Sequence, residues 1–132
     1  MPIEWRDSLS VGNDFIDDDH KQLLLLINQY EIAVQQQNPV ILEDAFNGLT
    51  EYAHSHFERE QNLMDAVHYP DRRTHADQHT KLLDSMDDFH KSLTEEKSID
   101  IGKVSKFLHD WLIDHVINED MKLRPYVKGE RY

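Results

Sequence analysis

Apolar residues recur at intervals of three and four through four long stretches of the chain, with polar residues filling the positions between. That spacing keeps one face of an α-helix apolar, because residues three and four apart lie one turn above another. The stretches cover about 17–37, 40–66, 71–95 and 101–122. Asn38-Pro39, the VHYPD linker at 67–71 and the polar turn EEKSID divide them, and Pro125 marks the end of the last. Gly48 is the sole interruption within the second. Nowhere does the two-residue alternation of a strand persist. Residues 1–15, with Pro2, Trp5 and the SVGND turn, read as an irregular N-terminal arm. Four helices of about 20 residues joined by short loops predict an all-α, antiparallel up-down-up-down four-helix bundle. Residues 1–132 read as one domain.

The apolar stripes contain residues that do not belong in an ordinary core. In the second helix the stripe runs through Leu42, Ala45, Phe46, Leu49, Tyr52, Ala53, Phe57, Leu63, Met64 and Val67. The sequence YAHSHFEREQ within it offers two His-x-x-x-Glu pairs, His54 with Glu58 and His56 with Glu60. They point about 200° apart around the helix, so only one pair can face inward. His56 and Glu60 share the stripe, whereas His54 and Glu58 share the other side with Asn47, Glu51, Gln61 and Asp65. The first helix places His20 among Ile16, Leu23, Leu24, Ile27 and Val34. The third has His75 and His79 followed by Leu82, Leu83, Met86, Phe89 and Leu93. The fourth has Ile101, Val104, Leu108, Trp111, Leu112 and His115.

A lone histidine on an apolar stripe is more often a hydrogen-bonded core residue than a ligand. Here depth along the bundle argues otherwise. His20, His75 and His79 sit at the starts of odd-numbered helices, and His56, Glu60 and His115 towards the ends of even-numbered ones. An antiparallel arrangement gathers all six within a slab about 15 Å thick, at about 1.5 Å per residue. Burying them together without compensation would cost several kcal/mol per charge. A polynuclear metal site supplies that compensation. His54, His68 and His109 read as solvated, and His90 as a core-bordering residue with no metal role.

Composition narrows the chemistry. There are 26 acidic and 14 basic residues, a formal net charge of −12, which argues against nucleic acid and anionic membranes as partners. The absence of cysteine excludes thiolate ligands, iron–sulfur clusters and disulfides. The start MPIEWRDSLS has no apolar signal region, and the longest aliphatic run is LLLLI at 23–27. A cytoplasmic protein without membrane insertion is expected. Five imidazoles and a carboxylate are too many for one tetrahedral zinc, and two ions sharing carboxylates fit better. The ferritin-like di-iron plan needs paired Glu-x-x-His motifs. This chain has one, Glu51 to His54, and it lies on the polar face.

The stretches SVGNDFIDDDHKQLLLLIN, HFEREQNLM, YPDRRTHADQH and WLIDHVINED, with His20, His56, Glu60, His75, His79, His115 and Asp120 in order, closely resemble the hemerythrin family. The likeness runs through essentially the whole chain. It implies two non-haem iron ions: one held by His75, His79 and His115, the other by His20 and His56. Glu60 and Asp120 would bridge them together with a solvent-derived oxo or hydroxo group. The second iron would then be one ligand short, and O2 would bind there. Leu23, Phe57, Trp111, Leu112 and Val116 match the apolar lining of the family's O2 pocket. Reversible oxygen binding for storage, transport or delivery follows, from a non-enzymatic and monomeric protein that could supply an oxygen-consuming enzyme. Sensing through a partner protein and oxidase, peroxidase or nitric-oxide-reducing chemistry are the alternatives. Gln61 departs from the pattern, since many members carry glutamate there; on the outward face it leaves the metal assignment untouched. At the last ligand, helix periodicity alone selects Glu119, four residues after His115. The family pattern selects Asp120, which requires a widened turn.

Overall fold

In the computed structural model the described residues are 4–94, 101–128 and 130; within the helices the side chains of 92–94, 101–103, 112, 113, 116 and 117 lie outside that set. The elements are a 3₁₀ turn at Asp7–Leu9, helices α1 (Asp14–Gln36), α2 (Pro39–Ala66), α3 (Arg72–Thr94) and α4 (Ile101–Ile113), a π-helical turn at Asp114–Glu119, a 3₁₀ turn at Asp120–Leu123, and a short α5 (Arg124–Val127). The fold is an all-α four-helix bundle, with no strand among the described residues. None of its described helices is long and apolar enough to cross a membrane.

Local chemistry sets the helix boundaries. The Asn13 side chain accepts from the backbone N–H groups of Phe15 and Ile16, and Asp14 and Asp17 place negative charge in the first turn of α1. Asn38 caps α2 in the same way, with Pro39 in the first turn where a missing N–H costs nothing. Between those two helices Gln37 adopts a left-handed conformation, φ 55°, which ends α1.

Two apolar clusters make up the core. The larger gathers Leu23, Leu24, Ile27, Tyr30, Phe46, Leu49, Phe57, Met86, Leu108 and Trp111. The smaller joins Val11, Ile16, Leu63, Met64, Tyr69, Leu123 and Val127. The arm is tied to this frame: Trp5 and Leu9 pack on the larger cluster, and the Lys21 ammonium lies 5.1 Å from the Trp5 ring centre.

The C-terminal end differs from the sequence expectation. The helical path does not stop at 122 before Pro125 but continues, with Pro125 in the first turn of α5. A proline there needs no N–H partner, so it starts a turn as readily as it ends one. Leu123 and Val127 are fully buried and justify the continuation. His109 is also not simply solvated: it is half-buried, and its Nε2 lies 3.1 Å from Glu31 on α1. His54 and His68 are exposed, and His90 is half-buried, stacked on Phe46.

Asn13 links the two ends of the chain. While its oxygen caps α1, its amide nitrogen donates to the carbonyls of Val127 (2.8 Å) and Glu130 (2.7 Å). The cap alone is worth about 1 kcal/mol, and a hydrogen bond to a buried carbonyl adds about as much. Asn13→Ala should therefore lower the unfolding free energy by about 2 kcal/mol, and Asn13→Ser, which keeps the cap, by about half of that. Urea unfolding followed by circular dichroism measures both. A serine variant as stable as the parent would show that the tail contributes nothing.

Candidate metal centre

The smaller and larger apolar clusters are separated on every helix by polar side chains. His20 stands between Ile16 and Leu23, Glu60 between Phe57 and Leu63, His75 and His79 between Tyr69 and Met86, and His115 and Asp120 between Trp111 and Leu123. All seven expected site residues — His20, His56, Glu60, His75, His79, His115 and Asp120 — are buried, none more than 6% exposed.

The structure brings their donor atoms together in two groups, Glu60, His75, His79, His115 and Asp120 in one, and His20, His56, Glu60 and Asp120 in the other. Within each group the ligand atoms all lie within 4.8 Å of one another. Both groups contain the same two carboxylates. Glu60 Oε1 is 2.7 Å from His75 Nε2, while Glu60 Oε2 is 2.9 Å from His56 Nε2. Asp120 Oδ1 is 2.9 Å from both His75 Nε2 and His115 Nε2, and its Oδ2 is 2.8 Å from His20 Nε2. Each carboxylate thus presents one oxygen to each group.

These distances fit a shared metal ion. Two ligand atoms each about 2.1 Å from one ion and at right angles to one another stand about 3 Å apart. The directions fit as well. His20 Nε2, His56 Nε2, Glu60 Oε2 and both Asp120 oxygens are buried with close neighbours, yet take part in no properly directed hydrogen bond. Buried polar atoms rarely stay unpaired. Here they crowd within 2.8–2.9 Å of one another without bonding, the spacing of donors grouped around a common cation. Imidazole nitrogen with carboxylate oxygen and no sulfur suits iron, zinc, copper or nickel.

The same side chains are strongly coupled electrostatically. Burial disfavours charge on His20 and His75, yet the Asp120 and Glu60 carboxylates beside them push both up to about 10. Burial likewise works against charge on His56, but Glu60 and Asp19 raise it. His79 moves the other way, lowered chiefly by burial. Burial also opposes ionisation of Glu60 and Asp120, and for Asp120 the Glu60 charge adds to that; the surrounding histidines nevertheless hold both carboxyls well below the usual range. A cation entering this site would displace imidazole protons.

The geometry of the last ligand depends on the π turn at Asp114–Glu119. The widened turn brings Asp120, five residues after His115, onto the same inward face, fully buried. Glu119 stays half-buried at the surface, 3.4 Å from the Lys122 ammonium.

Periodicity missed the groups behind the imidazoles. Asp19 is buried on α1, and its Oδ2 lies 2.9 Å from His56 Nδ1. Arg59 grips the same carboxylate through Nη2 at 2.7 Å and Nε at 3.0 Å, and the Tyr52 hydroxyl donates to its Oδ1. Burial would discourage charge on Asp19, but His56, Arg59 and Tyr52 together keep its carboxyl well below the usual range. A carboxylate behind a ligating imidazole fixes the ring and raises its basicity. Gln61 requires a correction: it is half-buried rather than outward, and its amide nitrogen lies 3.2 Å from His79 Nδ1. Gln61 follows Glu60 directly, and the third helix leans close enough for the long amide to reach across.

Beside the two-histidine group, Leu23, Phe57 and Trp111 join His20, His56, His115 and Asp120 around a narrow space with essentially no water-accessible volume. Phe57 lies flat against His79, ring centres 3.9 Å apart, and meets Trp111 edge-on. The side chains of Leu112 and Val116, the other two expected lining residues, lie outside the described residues.

Comparison with known proteins bears on this arrangement. The family model described as Hemerythrin HHE cation binding domain matches residues 11–127. A bacteriohemerythrin of Stenotrophomonas maltophilia is 23% identical over 127 residues, 96% of this chain and 82% of the relative. One of Pseudomonas aeruginosa is 28% identical over 119 residues, 89% and 76% of the two chains. A hemerythrin-like protein of Naegleria gruberi is 26% identical over 123 residues, 93% and 92%. A crystal structure described as wild-type hemerythrin superposes with a TM-score of 0.92 at 22% identity, covering 98% of this chain and 100% of that one, a likeness of fold.

The two overlapping His-x-x-x-Glu pairs give a direct test. His56 is buried in the cluster and His54 is exposed. His56→Ala should lose the transition metal of the two-histidine group, while His54→Ala should retain the full complement. Elemental analysis of both purified variants decides it, and equal loss from the two would contradict the assignment.

Proposed function

The chain belongs to the hemerythrin family, and from that premise we propose that it binds dioxygen reversibly at a pair of iron ions. One observation carries the reading. The two donor groups share both carboxylates but have unequal numbers of histidines, and the dry apolar space lies on the side of the poorer group. In this reading His75, His79 and His115 would hold one iron, His20 and His56 the other, and Glu60 and Asp120 both. When bound, the ferrous pair would supply the electrons that dioxygen takes up on binding and returns on release.

The protein's own part is to orient, insulate and select. With their protons displaced by metal, the five imidazoles would be neutral and would bring less negative charge than a carboxylate-rich set, so strongly oxidised iron is less favoured. Asp19 holds the His56 ring in place through Nδ1, and the Arg59 and Tyr52 bonds fix Asp19 in turn. Leu23, Phe57 and Trp111 keep water away from the open side, because an uncharged diatomic gas crosses an apolar lining that hydrated ions and protons do not. Storage or delivery of oxygen, with an oxygen-consuming enzyme as recipient, is the role that suits such a site. We read it as a carrier rather than an enzyme.

Oxygen uptake tests the function. The ferrous protein should take up about one O2 per iron pair with a new visible absorption, lose both under vacuum, and repeat the cycle without added reductant. Oxygen consumed irrecoverably, with peroxide appearing in solution, would instead make the protein an oxidase.

The lining makes a separate prediction. Leu23 is 1% exposed and bounds the dry space. Leu23→Ser should admit water and speed irreversible oxidation of the oxygenated protein at least several-fold, with iron content unchanged. Decay of the visible band in air gives the rate, and a rate equal to the parent's would remove Leu23 from the pocket.

A further inference from the structure

Helix α3 meets the α4 side of the bundle at two places and stands apart from it between them. Phe89 and Phe107 meet with ring centres 5.2 Å apart, and towards the metal layer His79 and His115 meet at 4.8 Å. From His79 to Phe89 is about 15 Å along α3, at about 1.5 Å per residue. The space between is an open groove of about 600 Å³, a volume typical of small-molecule sites.

Two helical faces form its walls. Lys81, Leu82 and Ser85 stand on α3, and Phe107, Trp111 and His115 stand opposite. The small Ser85 side chain leaves room beside Leu82. Trp111 and His115 also bound the dry space beside the two-histidine group. Groove and dry space therefore lie back to back, sharing those two side chains as a wall. His115, at 6% exposed, is the least deeply buried of the seven residues of the metal layer.

The groove is acidic as well as apolar. Asp110, Asp114 and Glu119 line it against Lys81. Lys106 lies 2.9 Å from Asp110, and Lys122 lies 3.4 Å from Glu119. Asp114 is exposed and forms no ion pair among the described residues. An entering anion would meet these carboxylates on a chain of net charge −12, whereas a cation would be drawn in. The rings of Phe107 and Trp111 favour a flat apolar body, and their faces also attract an ammonium group.

We propose that this groove is a second binding site, for a small organic amine in its protonated form carried on an aromatic body. The ring system would lie against Leu82, Phe107 and Trp111, with the ammonium at Asp114. Bound there, it would cover the outer edge of His115, where the metal layer comes nearest the surface. Nothing in this recognition requires metal, so it holds whatever the centre binds.

Three probes with one ring system separate the contributions: 1-naphthylmethylammonium, 1-naphthylmethanol and 1-naphthoate, each titrated calorimetrically into the purified protein. The ammonium should bind at one site per chain, about three-fold tighter than the alcohol and about ten-fold tighter than the carboxylate, with the differences shrinking as salt is raised. Asp114→Asn should bring the ammonium close to the alcohol, and Lys81→Glu should tighten the ammonium about three-fold while leaving the alcohol unchanged. Ser85→Trp fills the groove and should abolish binding of all three, with a circular dichroism spectrum like the parent's. No saturable binding of the ammonium up to about 5 mM, equal affinity for the three probes, or undiminished binding by folded Ser85→Trp would overturn the proposal. Should Ser85→Trp fail to fold, the two surface variants decide, and an ammonium affinity that neither of them changes would overturn it equally.

Discussion

A layer of five imidazoles and two carboxylates lies sealed from water between two apolar clusters, and the rest of the bundle answers to it. Charges at that depth lose their hydration, at a cost of several kcal/mol each, unless a partner restores it. No single helix can supply the partners. α1 contributes one histidine, α2 a histidine and a glutamate, α3 two histidines, and the segment after α4 a histidine and an aspartate. Neutralisation therefore requires all four to stand in one register. The apolar clusters above and below hold that register, and the polar layer penalises any slip from it.

Restraint extends outward through the groups behind the ligands. Asp19 on α1 takes hydrogen bonds from Arg59 and Tyr52 and pairs with His56, all on α2, so the same carboxylate that orients a ligand also fastens two helices. At the opposite end, Glu31 on α1 meets Ser105 and His109 on α4. Site and scaffold are thus held by the same bonds, and a change behind a ligand is felt in packing as well as in chemistry.

Much of this was legible in the sequence. The three-and-four spacing gave the helices and separated His56 from His54, because a full face of leucines and phenylalanines leaves no doubt about helix phase. Asp19 was not found. It sits in a run of three aspartates, and its inward turn is decided by a histidine 37 residues away. The available signal was its own place on the stripe between Ile16 and Leu23, with Tyr52 and Arg59 four before and three after His56. Gln61 was misjudged because periodicity places the Cβ, while a long amide at the edge of a helix reaches its partner across the gap between helices. Continuation past Pro125 was missed because proline ends a helix and begins one equally well.

The buried positions at the C-terminal end, 111, 115, 120, 123 and 127, step by four, five, three and four. A regular helix accommodates threes and fours. Only the five is out of phase, and the π turn at Asp114–Glu119 absorbs it. The segment is therefore one residue longer than its own geometry requires. Deleting one residue between His115 and Asp120 would leave the same side chains in phase on an unbroken α-helix. Inserting one would swing Asp120, Leu123 and Val127 off the core together, removing a shared carboxylate and the floor of the smaller cluster at once. Tolerance to changes in length is one-sided here: a descendant of this chain could shed a codon from the turn, but could not gain one.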